Sequence, residues 1–200
     1  MYSAEQPSPR PVSRAELLAV GIILAVAAYL RLRDVDLGYL SIHTTRDLYR
    51  SQLLLRGVEF PLLGSELQYG GRVLGPLMYL LCAIPLAIST SPVSIAVLIA
   101  VLNTALIGVV WRFTRAHFGP GAALWTAAMY AVFPLEISQL RFYWNPCFLP
   151  AVVTGALICL FGVAVRGHPW QMLGVALFIC LGLQLHISAA ELIVSCAVVL

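Results

Sequence analysis

Between Ile42 and Leu81 the chain gathers three of its nine acids, Asp47, Glu59 and Glu66, with four guanidinium groups, Arg46, Arg50, Arg56 and Arg72, and His43. Carboxylates and an imidazole that titrates near pH 6.5 can accept a proton from a reacting hydroxyl. Guanidinium groups stay ionised and hold phosphate oxygens in a two-pronged grip. All twelve basic residues are arginine and none is lysine, a bias that a GC-rich genome also produces. A second group follows at Arg141, Tyr143, Trp144 and Asn145, and a third at His186 and Glu191. His186 and Glu191 are five residues apart, on different faces of a helix, so they do not read as a metal pair.

These groups stand among apolar runs that only a membrane accommodates. The 200 residues are 60% hydrophobic and 10% charged, against about 25% charged in an ordinary soluble domain. The fold class expected is all-α: a polytopic transmembrane helical bundle. Residues 1–14, rich in proline and polar residues, read as a disordered cytoplasmic tail. Residues 15–200 form the membrane domain, with spans near 15–33, 93–111, 120–136, 146–165 and 169–186 and a sixth begun at 187. Glu16, Arg31 and Arg33 would snorkel at the ends of the first span, although a cleaved signal peptide is an alternative for that segment. The Gly119-Pro120-Gly121 triplet closes a basic turn after Arg112, Arg115 and His117. Cys82, Cys147, Cys159, Cys180 and Cys196 sit in apolar segments without paired spacing and read as small buried hydrophobes.

The run Val73–Ile88 could cross the bilayer or lie along it. If it does not cross, Arg10, Arg14, Arg112, Arg115 and Arg166 all fall on the cytoplasmic side, as the positive-inside rule asks. Pro76 and Pro85 also weaken it as a straight spanning helix. The reading adopted is therefore an N-terminus inside, a first external loop over 34–92, and the 136–146 connector on the same outer face. Within that loop, Thr44–Arg56 reads as an interfacial helix with Leu48 and Leu55 on its apolar face and Arg46 and Arg50 opposite. Glu59 reads as a solvated loop glutamate.

The ordered pieces Arg46-Asp47, Gly57–Gly64 (GVEFPLLG), Gly70–Tyr79 (GGRVLGPLMY), Arg141–Pro146 (RFYWNP) and Leu183–His186 (LQLH) give the chain a resemblance to a known family. From about residue 15 to its end it resembles the GT-C glycosyltransferases of the PMT and ArnT type (glycosyltransferase family 39), which take a sugar from a polyprenyl-phosphate carrier on the outer face of a membrane. The resemblance implies a polyprenyl-phosphate sugar donor, a glycan, lipid or protein acceptor, and a plasma (inner) membrane location, with no nucleic-acid partner. It also implies that these residues are the front half of a longer enzyme. Members often carry Asp-Gln-Ala-Arg-Asp where this chain has His43-Thr44-Thr45-Arg46-Asp47, so the first acid, taken as the base in the family, is here a histidine.

Inverting sugar transfer needs a carboxylate to take the acceptor's proton while the phosphate departs from the opposite face. Asp47 is the first candidate, with His43 and Glu66 as the other candidate catalytic groups; an ion pair of Asp47 with Arg50 is the structural alternative. Arg46, Arg72 and Arg141 are candidates for the donor phosphate, where developing negative charge is stabilised by a cation. Tyr143, Trp144, Asn145 and His186 would support the site. No resident cofactor is implied, and a divalent metal is possible. A transporter or a non-catalytic relative of the same family are the alternative readings.

Overall fold

The structure is a computed structural model that describes residues 11–38, 41–66, 74–139, 141 and 143–199. It is all-helical, with 80% helix, and no strand occurs among the described residues. Three helices are long and apolar enough to cross a membrane, which marks a membrane protein. The expected disordered tail falls mainly on residues 1–10, outside the described set.

Helix α1 (Arg14–Leu32) begins at a Ser-x-x-Glu signature, where the Ser13 hydroxyl accepts the Glu16 amide at 3.1 Å. That capping satisfies one of the orphan donors of the first turn. Its apolar length suits a hydrocarbon layer of about 30 Å. Helices α2 (Ile42–Leu55) and α3 (Leu77–Leu86) follow. At ten residues, α3 is about 15 Å long, about half the thickness of a hydrocarbon layer.

Helix α4 (Val93–Val132) contains two of the expected spans as one kinked element. Gly119 adopts φ 88°, ψ 170°, a backbone only glycine enters readily, and Pro120 withholds the next amide; together they break the helix into arms 93–118 and 120–132. Helix α1 packs against both arms. Near its start Glu16 pairs with Arg115 of the long arm, and Ala27 packs with Ile107, Ala127 and Ala131. Near its end Arg31 donates to the carbonyls of Tyr130 and Ala131, at the close of the short arm. The long arm therefore runs antiparallel to α1 and the short arm parallel to it, with the chain leaving α1 and entering α4 at the same end.

Glu16 and Arg31 thus depart from the expected snorkelling. Both are buried, because each finds a partner about a hundred residues away: Glu16 a guanidinium, Arg31 the carbonyls a helix terminus leaves without intrahelical donors. Arg33 alone turns outward, to an exposed pair with Asp34.

The short helix α5 (Pro134–Gln139) and a 3-10 turn over Asn145–Phe148 lead into α6 (Leu149–Ala164); α7 (Met172–Leu185) packs back on it, and α8 (Glu191–Val199) follows. The main core joins Leu48 of α2, Met78 and Cys82 of α3, Ile95 and Ile99 of α4, the connector residues Tyr143, Cys147 and Phe148, and Leu185. So the described residues of 33–92, 133–148 and 185–190 gather at one end of the long helices, called here the loop end. At the opposite end Arg166 meets His117 at 3.1 Å, and Phe113 stacks edge-on to Phe161. Tyr143 of the 136–146 connector packs in one core with Leu48, Met78 and Cys82 of the 34–92 segment.

Candidate functional site

Helix α2 is capped by Ser41, whose hydroxyl accepts the Thr44 amide at 3.2 Å. The face it buries is Thr44, Asp47, Leu48 and Ser51, the i, i+3, i+4, i+7 stripe of one helical side. This corrects the expected Leu48–Leu55 face: Leu48 is buried but Leu55 is exposed. Three polar groups can occupy the buried side because each is satisfied there. The Ser51 hydroxyl lies 2.7 Å from the Asp47 carbonyl and 3.0 Å from that of Tyr79 on α3, which ties the two loop helices together.

Asp47 is only 2% exposed. Its Oδ1 accepts from Arg46 Nε and Nη2, each at 3.0 Å, and from Ser65 Oγ at 2.9 Å. Oδ2 takes no hydrogen bond among the described residues. Burial pushes the Asp47 carboxyl above the usual aspartate range; Arg46, the Ser65 hydroxyl and the charge of His43 pull it partly back. The ion pair is with the neighbouring Arg46 rather than with Arg50, as the structural alternative had it. Arg50 instead grips both carboxylate oxygens of Glu59 at 2.5 Å, so Glu59 is paired and not merely solvated.

A cleft of about 560 Å³ has walls that include Arg46, Arg50, Glu59, Phe60, Glu66 and Tyr79; Asp47 lies behind Arg46 and is not among its lining residues. Ser65 is brought under Asp47 by a two-bond bridge, Gly64 N to the Leu74 carbonyl at 2.8 Å and Leu74 N to the Ser65 carbonyl at 2.9 Å. A Cβ on Gly64 would strike the Gly75 carbonyl, and one on Gly75 the Gln184 side chain. Three of the quoted segments therefore meet at these glycines. Gly64→Ala is expected to force the bridge apart, release Ser65 from Asp47 and lower stability by about 1–3 kcal/mol; a melting curve in detergent checks it, and an unchanged midpoint would mean the bridge is not needed.

His43 lies on α2 four residues before Asp47 and is exposed; Glu66 is exposed on the cleft wall. Arg72 lies outside the described residues. Arg141 is exposed and is not among the cleft-lining residues. Tyr143 is buried in the main core and donates its hydroxyl to the Val35 carbonyl at 2.9 Å, a contact that fastens the connector to the end of α1. Trp144 faces the His186 ring with centroids 6.4 Å apart. Asn145 is buried. The His186 ring nitrogen Nδ1 accepts the Ser188 amide at 3.2 Å and so caps the turn before α8.

The structure thus pairs Asp47 with Arg46, places Arg46 and Glu66 on one cleft, and leaves both Asp47 and Arg141 out of its lining. It adds Arg50, Ser65 and Tyr79, which the sequence reading did not single out as site residues. The spacing of Thr44, Asp47 and Ser51 was the available signal, a polar stripe where an apolar one was sought. Among the described residues, no group of three or more His, Cys, Asp or Glu could hold a metal ion. No family model, curated protein or solved structure matches the chain.

Proposed function

We propose that the protein is an integral membrane glycosyltransferase that moves a sugar from a polyprenyl-phosphate donor to an acceptor at its loop end. The observation that carries this reading is Asp47: a buried carboxylate with one oxygen fixed by Arg46 and Ser65 and the other without a hydrogen bond among the described residues, joined through Arg46 to a cleft that Arg46 and Arg50 line. An acceptor hydroxyl placed at Oδ2 gives up its proton to Asp47 as its oxygen attacks the anomeric carbon. The bond from that carbon to the phosphate oxygen breaks, and the electron pair leaves with the phosphate. Arg50, exchanging Glu59 for the departing anion, and Arg46 stabilise the charge that develops. Arg141, from the same end of the molecule, and Arg72, outside the described residues, remain candidates for the outer part of the carrier phosphate. His43 and Glu66 are the other acid-base candidates, exposed where Asp47 is enclosed.

The reading that the loop end faces outward, with the N-terminus inside, draws on an excess of positive charge at the opposite end. Among the described residues Arg14, Arg112, Arg115 and Arg166 lie there with the carboxylate Glu16, whereas at the loop end Asp34, Asp36, Asp47, Glu59, Glu66 and Glu136 balance Arg31, Arg33, Arg46, Arg50, Arg56 and Arg141. Single cysteines at Thr90, Ala116 and Gln139, all exposed, test this with an impermeant thiol reagent on intact cells after removal of any reactive native cysteine. Labelling at 90 and 139 but not 116 is expected; the reverse pattern overturns the sidedness.

The activity itself is tested with the full chain in detergent, a polyprenyl-phosphate sugar and a mixture of envelope acceptors. Acceptor-dependent release of polyprenyl phosphate is the expected result. A second reading, a non-catalytic membrane protein, draws on the near-complete burial of Asp47, which would then serve only to pin Ser65 and the 64–75 bridge. Absence of release with every donor and acceptor, in a protein that melts cooperatively, favours it.

A further inference from the structure

The end opposite the loops carries a second charged feature that the proposed transfer chemistry does not use. Arg166 Nη2 stands 3.1 Å from His117 Nε2, and the His117 ring is set between Phe113, with centroids 4.7 Å apart, and Phe161, at 4.6 Å. Two left-handed glycines hold the turns that present this pair: Gly119 at φ 88° ends the long arm of α4, and Gly167 at φ 66° ends α6, where the His168 amide returns to the Gly162 carbonyl at 3.0 Å. Arg14, Arg112 and Arg166 are exposed there and form no ion pair among the described residues. The carboxylate described at that end, Glu16, is engaged by Arg115. Exposed guanidinium groups at one end of the helices, outside any carboxylate pair, attract a multivalent oxyanion, which guanidinium grips with two parallel hydrogen bonds. Phe118 and Trp170, 62% and 67% exposed, extend from the same turns. Aromatic side chains at the ends of spanning helices sit at the boundary between acyl chains and headgroups, which places the cations at headgroup depth.

We propose that the seam between the α4 turn and the end of α6 binds the headgroup phosphate of an anionic phospholipid, with Arg166 as the principal ligand and Arg112 and Arg14 adding to its field. His117 holds the Arg166 guanidinium in place, and Phe118 and Trp170 lie along the lipid's glycerol and upper acyl chain. The occupant is a lipid rather than a soluble phosphate because the cations and these exposed rings share one edge of the membrane-spanning helices.

The test uses the full chain in a neutral detergent, with the melting midpoint followed as phosphatidylglycerol, phosphatidylcholine or inorganic phosphate is added, and bound lipids counted by native mass spectrometry. Phosphatidylglycerol is expected to raise the midpoint and remain bound; the other two are not. Arg166→Ala should weaken the apparent phosphatidylglycerol affinity about tenfold, the worth of one charge-assisted contact, while Arg33→Ala, at the loop end, should leave it unchanged. If Arg166→Ala does not fold, Arg112→Ala is read instead, with a smaller loss in the same direction. Equal stabilisation by phosphatidylcholine, full stabilisation by inorganic phosphate alone, or wild-type lipid affinity in the arginine variants would each overturn the proposal.

Discussion

Asp47→Asn is expected to lower sugar transfer about 10²–10⁴-fold, the usual worth of a positioned general base, while donor binding survives. Asparagine fits the same space and its carbonyl oxygen can keep the Ser65 hydrogen bond, so the fold should persist apart from the loss of the Arg46 charge pair. The same assay carries a pH signature. Asp47 acts as a base only when ionised, and burial has raised its pKa; activity should therefore rise with pH through a limb lying above the ordinary aspartate range. Arg46→Gln removes the strongest influence holding that pKa down, so the limb should move to still higher pH. A structural role for Asp47 would reduce the amount of folded protein without moving the limb. If Asp47→Asn transfers at the wild-type rate while His43→Ala is inactive, the base is His43. His43→Asp, which restores the acid seen in the GT-C family, should keep or raise activity in an intact site.

The second large effect concerns stability. Glu16→Ala is expected to cost about 3–5 kcal/mol, the range for removing one partner of a buried ion pair. The Glu16 and Arg115 side chains are 7% and 13% exposed, and both carboxylate oxygens are engaged, at 2.5 and 3.2 Å. Truncation leaves Arg115 buried without its carboxylate between α1 and the long arm of α4. The double variant Glu16→Ala, Arg115→Leu should recover much of the loss, because no buried charge then remains. Chemical denaturation in mixed detergent micelles measures both variants against the wild type. A wild-type midpoint for Glu16→Ala would show that water or lipid headgroups already solvate the pair.

Local chemistry set much of the architecture. Apolar runs of spanning length placed α1, both arms of α4, and α6, because burying backbone polar groups in a membrane leaves helix as the form an apolar stretch can take. The Gly119-Pro120-Gly121 triplet marked the fold-back of α4 for reasons confined to those residues: a backbone conformation glycine reaches at no steric cost, and a missing amide. Prolines at 76 and 85 and the arginine distribution together pointed to a 73–88 segment that does not cross; within it the structure forms the ten-residue α3.

The partners of the charged groups were settled only by the tertiary structure. On α2 the sequence offered Asp47 a partner in Arg50, three residues on. In the structure Asp47 pairs with the adjacent Arg46, while residues 57–66 bring Glu59 to Arg50 and Ser65 to Asp47. The helix's apolar stripe was misread for the same reason: a face counts as polar or apolar by its residues, but it is buried if distant groups satisfy it, as Tyr79 does for Ser51 and Ser65 for Asp47. Glu16 and Arg31 looked like end-of-span residues reaching for water. Their partners lie 99 and 100 residues along the chain, beyond the reach of any local period, and only the hairpin of α4 folding around α1 brings a guanidinium to one and open helix carbonyls to the other.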